Sequence, residues 1–168
     1  MLRFNSNGYL TPDNVISTDF KTFVFEFVES VPDENRLKIL RNFVEFCRTF
    51  LQDLELQEMV IFIDGSFTTK KQVPKDIDLV VFLHWEDQKK HAKILNNNYK
   101  HDDLLTNNLL DVYFVLIYPE NHSNHSFTNS DRVYWVNQFT RTRPNRRGTI
   151  HKKGLLQLTV TQHDLEQI

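Results

Sequence analysis

A single cysteine, Cys47, leaves no partner for an internal disulfide. Its place on the apolar face of an expected helix marks it as a small core residue rather than a nucleophile. Long apolar runs are also missing, and none approaches the roughly 20 residues needed to cross a bilayer. The opening Met1-Leu2-Arg3-Phe4-Asn5-Ser6 has no apolar signal core. Neither sign of charge dominates: the formal net charge is −2, which argues against a general nucleic-acid coat while leaving local basic patches open. What is present is apolar material, with 40% hydrophobic residues, 25% charged and 14 phenylalanines among 168 residues. That composition excludes a largely disordered chain and suits one domain able to bury a core. The cytoplasm is the expected location, with no membrane partner.

Periodicity predicts an α+β fold, a small mixed β-sheet flanked by helices, in a single domain over 1–168. An extended lead occupies 1–17. Phe20, Phe23, Val24, Phe27 and Val28 fall at helical spacing, although the alternation of Phe23, Phe25 and Phe27 also permits a strand. After Pro32, the stripe Leu37, Leu40, Val44, Cys47, Leu51 and Leu54 predicts an amphipathic helix capped near Asp33. Strands are predicted at 59–64 and 77–83, a polar helix at 86–96, and a buried strand opening at Asp111. A loop is expected over 119–130, with Ser130 capping a helix that carries Val133, Tyr134, Trp135, Val136 and Phe139. A short strand is expected over Leu155 to Val160, within a basic C-terminal segment spanning 141–168.

The chemistry concentrates where the strand Met59 to Asp64 runs into Gly65-Ser66 and, nine residues later, Asp76-Ile77-Asp78 opens the next strand. Side chains two apart on a strand share a face, so Asp76 and Asp78 can share a divalent ion while Ile77 and Leu79 face the core. Adjacent carboxylates repel unless a cation lies between them. Mg²⁺ binds through one or two carboxylates completed by substrate phosphates. Gly65 permits a sharp turn, and the amides after it, with the Ser66 hydroxyl, can donate to phosphate oxygens. A third carboxylate is needed to hold or deprotonate an attacking hydroxyl. Asp111, opening its own strand, is preferred to Asp102 and Asp103, which lie in a polar stretch without strand character.

The set apolar-Gly-Ser, Asp-apolar-Asp and apolar-Asp-apolar resembles the DNA polymerase β-type nucleotidyltransferase superfamily in a minimal form. More narrowly, Phe62 to Thr68, Pro74 to Phe82 and Asp111 to Val115 resemble a group of small, poorly characterised bacterial nucleotidyltransferase-like proteins. Phe4-Asn5, Gly8-Tyr9-Leu10, Tyr134-Trp135, Phe139 and Lys153-Gly154-Leu155 extend that likeness over most of the chain. The resemblance implies transfer of NMP, AMP first, from a nucleoside triphosphate to a hydroxyl on protein or RNA, with Mg²⁺ or Mn²⁺ and release of pyrophosphate. It implies metal ligation by Asp76, Asp78 and Asp111 and triphosphate binding by Gly65 and Ser66. Minimal members of the superfamily often act in toxin–antitoxin or phage-defence modules, so a partner toxin or a second copy of the chain is an expected partner, and DNA is not.

Other polar residues carry weaker expectations. Lys70 and Lys75, ahead of Lys71, lie between the glycine turn and the carboxylates, where a cation can reach a phosphate. Arg141, Arg143, Arg146, Arg147, Lys152 and Lys153 form an acid-free basic segment suited to RNA backbone, triphosphate or an acidic surface. It has no interleaved aromatic platform. His122 and His125 are expected in an exposed loop, and His84 at a surface strand end. Tyr134 and Trp135 are expected in the core, while Phe67 either anchors the turn or reaches a base. Two other classes remain: a non-catalytic nucleotide-binding or antitoxin module, and an RNA-binding protein using the basic segment.

Overall fold

A computed structural model describes residues 1–70 and 73–166 as a mixed α+β fold. Strands β1 (Arg3–Phe4) and β2 (Leu10–Thr11) pair antiparallel, and the Asn5 side-chain oxygen accepts from the Asn7 and Tyr9 amides in the turn between them. β3 (Val15–Thr18) follows. The lead expected to be merely extended is therefore a hairpin and an edge strand, because β3 finds a partner 140 residues away, Val15 lying opposite Leu155. Helix α1 (Phe20–Val24) begins at Asp19, whose carboxylate accepts from the Thr22 amide at 2.7 Å, and a π-helical turn continues it over Phe25–Glu29. Phe23 and Phe27 are buried while Phe25 is exposed, the parity of a helix and not of a strand.

Helix α2 (Glu34–Asp53) starts where predicted: Asp33 accepts from the Asn35 and Arg36 amides at 3.0 and 3.1 Å. Its inner face centres on Ile39, Phe43, Cys47 and Phe50, so Leu37, at the edge of that face, is 42% exposed. Burial pushes the Cys47 thiol well up, as suits a core residue. The chain then forms β4 (Glu58–Asp64), β5 (Ile77–His84), α3 (Trp85–Lys90), α4 (Ala92–Asn98), α5 (His101–Asn108) and β6 (Leu110–Ile117). The helix expected over 86–96 is thus broken at His91, and the polar stretch before Asp111 is itself helical. Next come α6 (His125–Phe139), β7 (Leu155–Thr161) and α7 (Gln162–Glu166). α6 begins five residues before the expected Ser130 cap, with the His125 ring holding the Tyr118 carbonyl at 2.9 Å and the Thr128 hydroxyl donating to the Leu116 carbonyl. His122 and His125 are half-buried rather than exposed, His122 packing 4.9 Å from Trp85 and 4.8 Å from Tyr118. No helix among the described residues is long and apolar enough to cross a membrane.

The larger sheet has the order β3-β7-β4-β5-β6, with β3–β7 and β5–β6 parallel and the two central pairings antiparallel. Strand alternation gives it two faces. One, with Ile61, Ile63, Ile77, Leu79 and Leu156, packs into the main core under α2. The other, with Phe62, Val80, Phe82, Val115 and Leu155, is covered by α6 alone through Trp135, Val136 and Phe139. One helix cannot cover five strands, and the uncovered part of this second face is where the polar residues gather.

Candidate functional site

Strand register builds the site. Asp64 on β4 lies opposite Asp78 on β5, and Asp78 lies opposite Asp111 on β6. Neighbouring strands are about 4.8 Å apart, so three carboxylates stand in a row across the half-covered face, with Asp76 two residues before Asp78 on the same side. Asp64 was quoted from the sequence only as the end of a strand, and register alone brings it into the row.

Gly65 ends β4 with φ +87°, the left-handed region. A Cβ there would come within 1.8 Å of the Asp78 carboxylate Oδ2, so the glycine is required by Asp78 as much as by the turn. The loop after it is held from below. Phe67 is fully buried 5.8 Å from Phe23, which settles it as an anchor of the turn. Arg36, also fully buried, donates to the carbonyls of Phe27 and Phe67 at 2.8 Å and of Thr69 at 2.9 Å. A rigid planar donor suits such a cluster of carbonyls. Gly65 and Ser66 line the cleft, while the Thr69 and Lys70 amides donate to the Ser66 and Gly8 carbonyls at 3.3 and 3.1 Å.

Charge is concentrated and partly compensated. Burial, with Asp76 and Asp111 adding repulsion, pushes the Asp78 carboxyl up to about 6 against the pull of Lys153 and Arg143. Burial likewise raises Asp64 to about 7, although the Lys153 ammonium sits on both its oxygens at 2.5 and 2.6 Å and pulls the other way. Asp111 accepts from the His101 ring at 2.7 Å, and that bond holds the imidazole above its ordinary value. Neither His101 nor the Asp64–Lys153 pair was singled out from sequence, since each depends on contacts across 10 and 89 positions.

The remaining candidates separate. Lys70 lines the cleft, but its ammonium lies 3.4 Å from Glu26 and 4.2 Å from the Phe4 ring centre, where it secures the N-terminal hairpin. Lys75 is exposed and outside the cleft, and Lys71 lies outside the described residues. Asp102 and Asp103 sit in the first turn of α5, away from the cleft, Asp102 reaching the site only through His101 at 3.4 Å. The six cations of the basic segment diverge. Arg141 and Arg143 line the cleft, Lys152 pairs with Asp13 at 3.2 Å, Lys153 is buried on Asp64, and Arg146 and Arg147 are exposed beside the Asn145–Gly148 turn. His84 is exposed at the end of β5.

The cleft encloses about 1530 Å³. Its floor is the carboxylate row and the Gly65-Ser66 loop, and its walls are the β1–β2 hairpin, the end of α6 and the strap leading to Lys153. Tyr134 and Trp135 belong to this wall rather than to the core, Tyr134 being 55% exposed and Trp135 half-buried. The expectation failed because α6 turns only Phe139 fully inward. Among the described residues, no three His, Cys, Asp or Glu side chains are close enough to hold a metal by themselves. The donor chemistry nevertheless fits Mg²⁺ or Mn²⁺: Asp76, Asp78 and Asp111 are oxygen donors whose repulsion a cation relieves, and such ions take one or two carboxylates plus substrate phosphates.

The model of a family of unknown function, DUF6932, matches residues 2–159, and the chain belongs to that family. No curated protein and no solved structure gives a significant match.

Proposed function

We propose that the protein is a metal-dependent nucleotidyltransferase of polymerase β type, moving NMP from a nucleoside triphosphate to a hydroxyl on protein or RNA. The observation that carries this reading is the placement of Asp76, Asp78 and Asp111 on one open face beside the loop that starts at Gly65-Ser66. Asp76 and Asp78, with Asp111, are the residues that would hold Mg²⁺ or Mn²⁺, which when bound neutralises charge on the phosphates. The Gly65-Ser66 turn with the Ser66 hydroxyl, together with Arg141 and Arg143, holds the triphosphate. Asp111 orients the acceptor and takes its proton; the acceptor oxygen bonds to the α-phosphorus, and the bond to the bridging oxygen breaks to release pyrophosphate. A cleft of 1530 Å³ exceeds the roughly 300–1,000 Å³ of single-ligand sites, leaving room for an acceptor. ATP is the proposed donor, on the resemblance, and the cytoplasm, where nucleoside triphosphates are abundant, is the proposed location. A toxin–antitoxin or phage-defence role rests on the same resemblance.

The test is incubation with α-³²P nucleoside triphosphates, Mg²⁺ or Mn²⁺ and cell lysate, following label transfer and pyrophosphate release. Asp76→Asn and Asp78→Asn should abolish both. Asp111→Asn should lower turnover by about 10²-fold while largely keeping nucleotide affinity, the lower range for a positioned base. Tight metal-nucleotide binding without pyrophosphate release would instead establish a binding module. RNA affinity indifferent to Asp76→Asn would point to the basic strap.

A further inference from the structure

Beside the carboxylate row lies an aromatic wall, of which only Trp135 also packs against the second core. Tyr113 is two residues beyond Asp111 on β6 and on the same face, about 7 Å along the strand, and is 36% exposed. Its ring lies 4.6 Å from Trp135, and Trp135 lies 5.3 Å from Tyr134 in an edge-to-face pair. All three line the cleft. Most other rings of this chain are sunk in the core, Phe23, Phe27, Phe43, Phe50, Phe62 and Phe67 being fully buried. Phe4 and Tyr9 also line the cleft, but these three rings touch one another beside the carboxylate row, and they are accompanied by two side-chain amides. Asn137 and Gln138, on the next turn of α6, line the same cleft and are exposed, and their side-chain amides make no hydrogen bond among the described residues. A carboxamide carries donor and acceptor together, the pattern of a base edge.

Building on the nucleotidyltransferase reading, we infer that Tyr113, Tyr134 and Trp135 with Asn137 and Gln138 form the nucleobase site for the incoming triphosphate. The base stacks on the ring wall, the amides meet its edge, and the phosphates extend toward Asp78 and the Gly65-Ser66 loop. The distance from Asp111 to Tyr113 along β6 leaves a sugar between the two. This gives the site a means of preferring a nucleotide over a bare polyphosphate, which its cations and metal alone would not do.

Binding of three probes with Mg²⁺ separates the possibilities: α,β-methylene ATP, α,β-methylene CTP and inorganic tripolyphosphate. Affinity is read by calorimetry and by Trp135 fluorescence in a Trp85→Phe background. The nucleotides should bind about 5- to 150-fold more tightly than tripolyphosphate, the range for base stacking on an aromatic, and should quench Trp135. Trp135→Ala and Tyr134→Ala should lose most of that margin while leaving tripolyphosphate affinity unchanged, and Trp135→Phe should retain part of it. Tyr134→Ala covers the case in which Trp135→Ala fails to fold, since Tyr134 is exposed. Asn137→Ala or Gln138→Ala should alter the ratio between the ATP and CTP analogues. Equal binding of nucleotides and tripolyphosphate, or a margin untouched by the wall variants, overturns the base site but leaves the triphosphate reading standing. Failure of all three probes to bind overturns both.

Discussion

Gly65→Ala should damage the fold through Asp78. The glycine holds φ +87°, where an L-residue is strained by about 1–2 kcal/mol. The added methyl would stand 1.8 Å from Asp78 Oδ2 and 2.9 Å from its Cγ, so the carboxylate must leave its position. Forcing it off its rotamer adds about 0.5–1.5 kcal/mol, and the total is about 1.5–3.5 kcal/mol. For a chain of this length each kcal/mol lowers the melting temperature by about 2–4 °C, giving a drop of about 3–14 °C. A double-mutant cycle separates the two parts. In an Asp78→Ala background the colliding atoms are gone, and the nearest remaining contact of Asp78 is its backbone nitrogen at 3.5 Å, an ordinary separation. Gly65→Ala should then cost about 1 kcal/mol less than in the wild type. Equal costs in the two backgrounds would refute the proposed collision and leave only the backbone strain.

Asp78→Asn should raise the melting temperature of the metal-free protein at pH 7.5. The Asp78 carboxyl is pushed up to about 6 in the fold, so its contribution to stability is present below about pH 4 and lost as pH rises through 6. The gain, up to about 3 kcal/mol, should therefore close as pH is lowered from 7.5 to 4, and a pH-independent difference in melts would count against it. Lys153→Met should destabilise by about 3–5 kcal/mol at pH 8 by leaving Asp64 buried without its ammonium. The loss should shrink at pH 5, where Asp64, already raised to about 7 by burial, takes up a proton, and Lys153→Met with Asp64→Leu should recover stability. Thermal melts of the single and double variants across that range check it.

The parts of the fold visible in the sequence were those written in short-range pattern. Pro32-Asp33 and the stripe after it located α2, and the apolar runs at 59–64, 77–83 and 112–118 located the strands that carry Asp64, Asp78 and Asp111. Pairing was not visible, because the partners of β3 and Asp64 lie 140 and 89 positions away. The α6 reading failed for another reason. Tyr134 and Trp135 read as a helical stripe with Val133 and Phe139, yet a helix covering half of one sheet face buries few of its apolar residues, and spacing does not say how much of a face is covered. The basic segment shows the same limit: six cations in a row read as one patch, while the folded strap sends them in four directions.

The insertion of β7 between β3 and β4 bears on how the protein is made. Residues 155–161 leave a ribosome after β3, β4, β5 and β6, and they fill an interior position of the larger sheet rather than its edge. Until they emerge, β4 has an unpaired side and β3 has no partner in that sheet, so the nascent chain displays two open strand edges that invite pairing with other chains. The carboxylate face matures on the same schedule, since Lys153 reaches Asp64 only as β7 docks. Long-range pairing of this kind slows folding, and a chain released before Thr161 would have neither a closed sheet nor a neutralised Asp64.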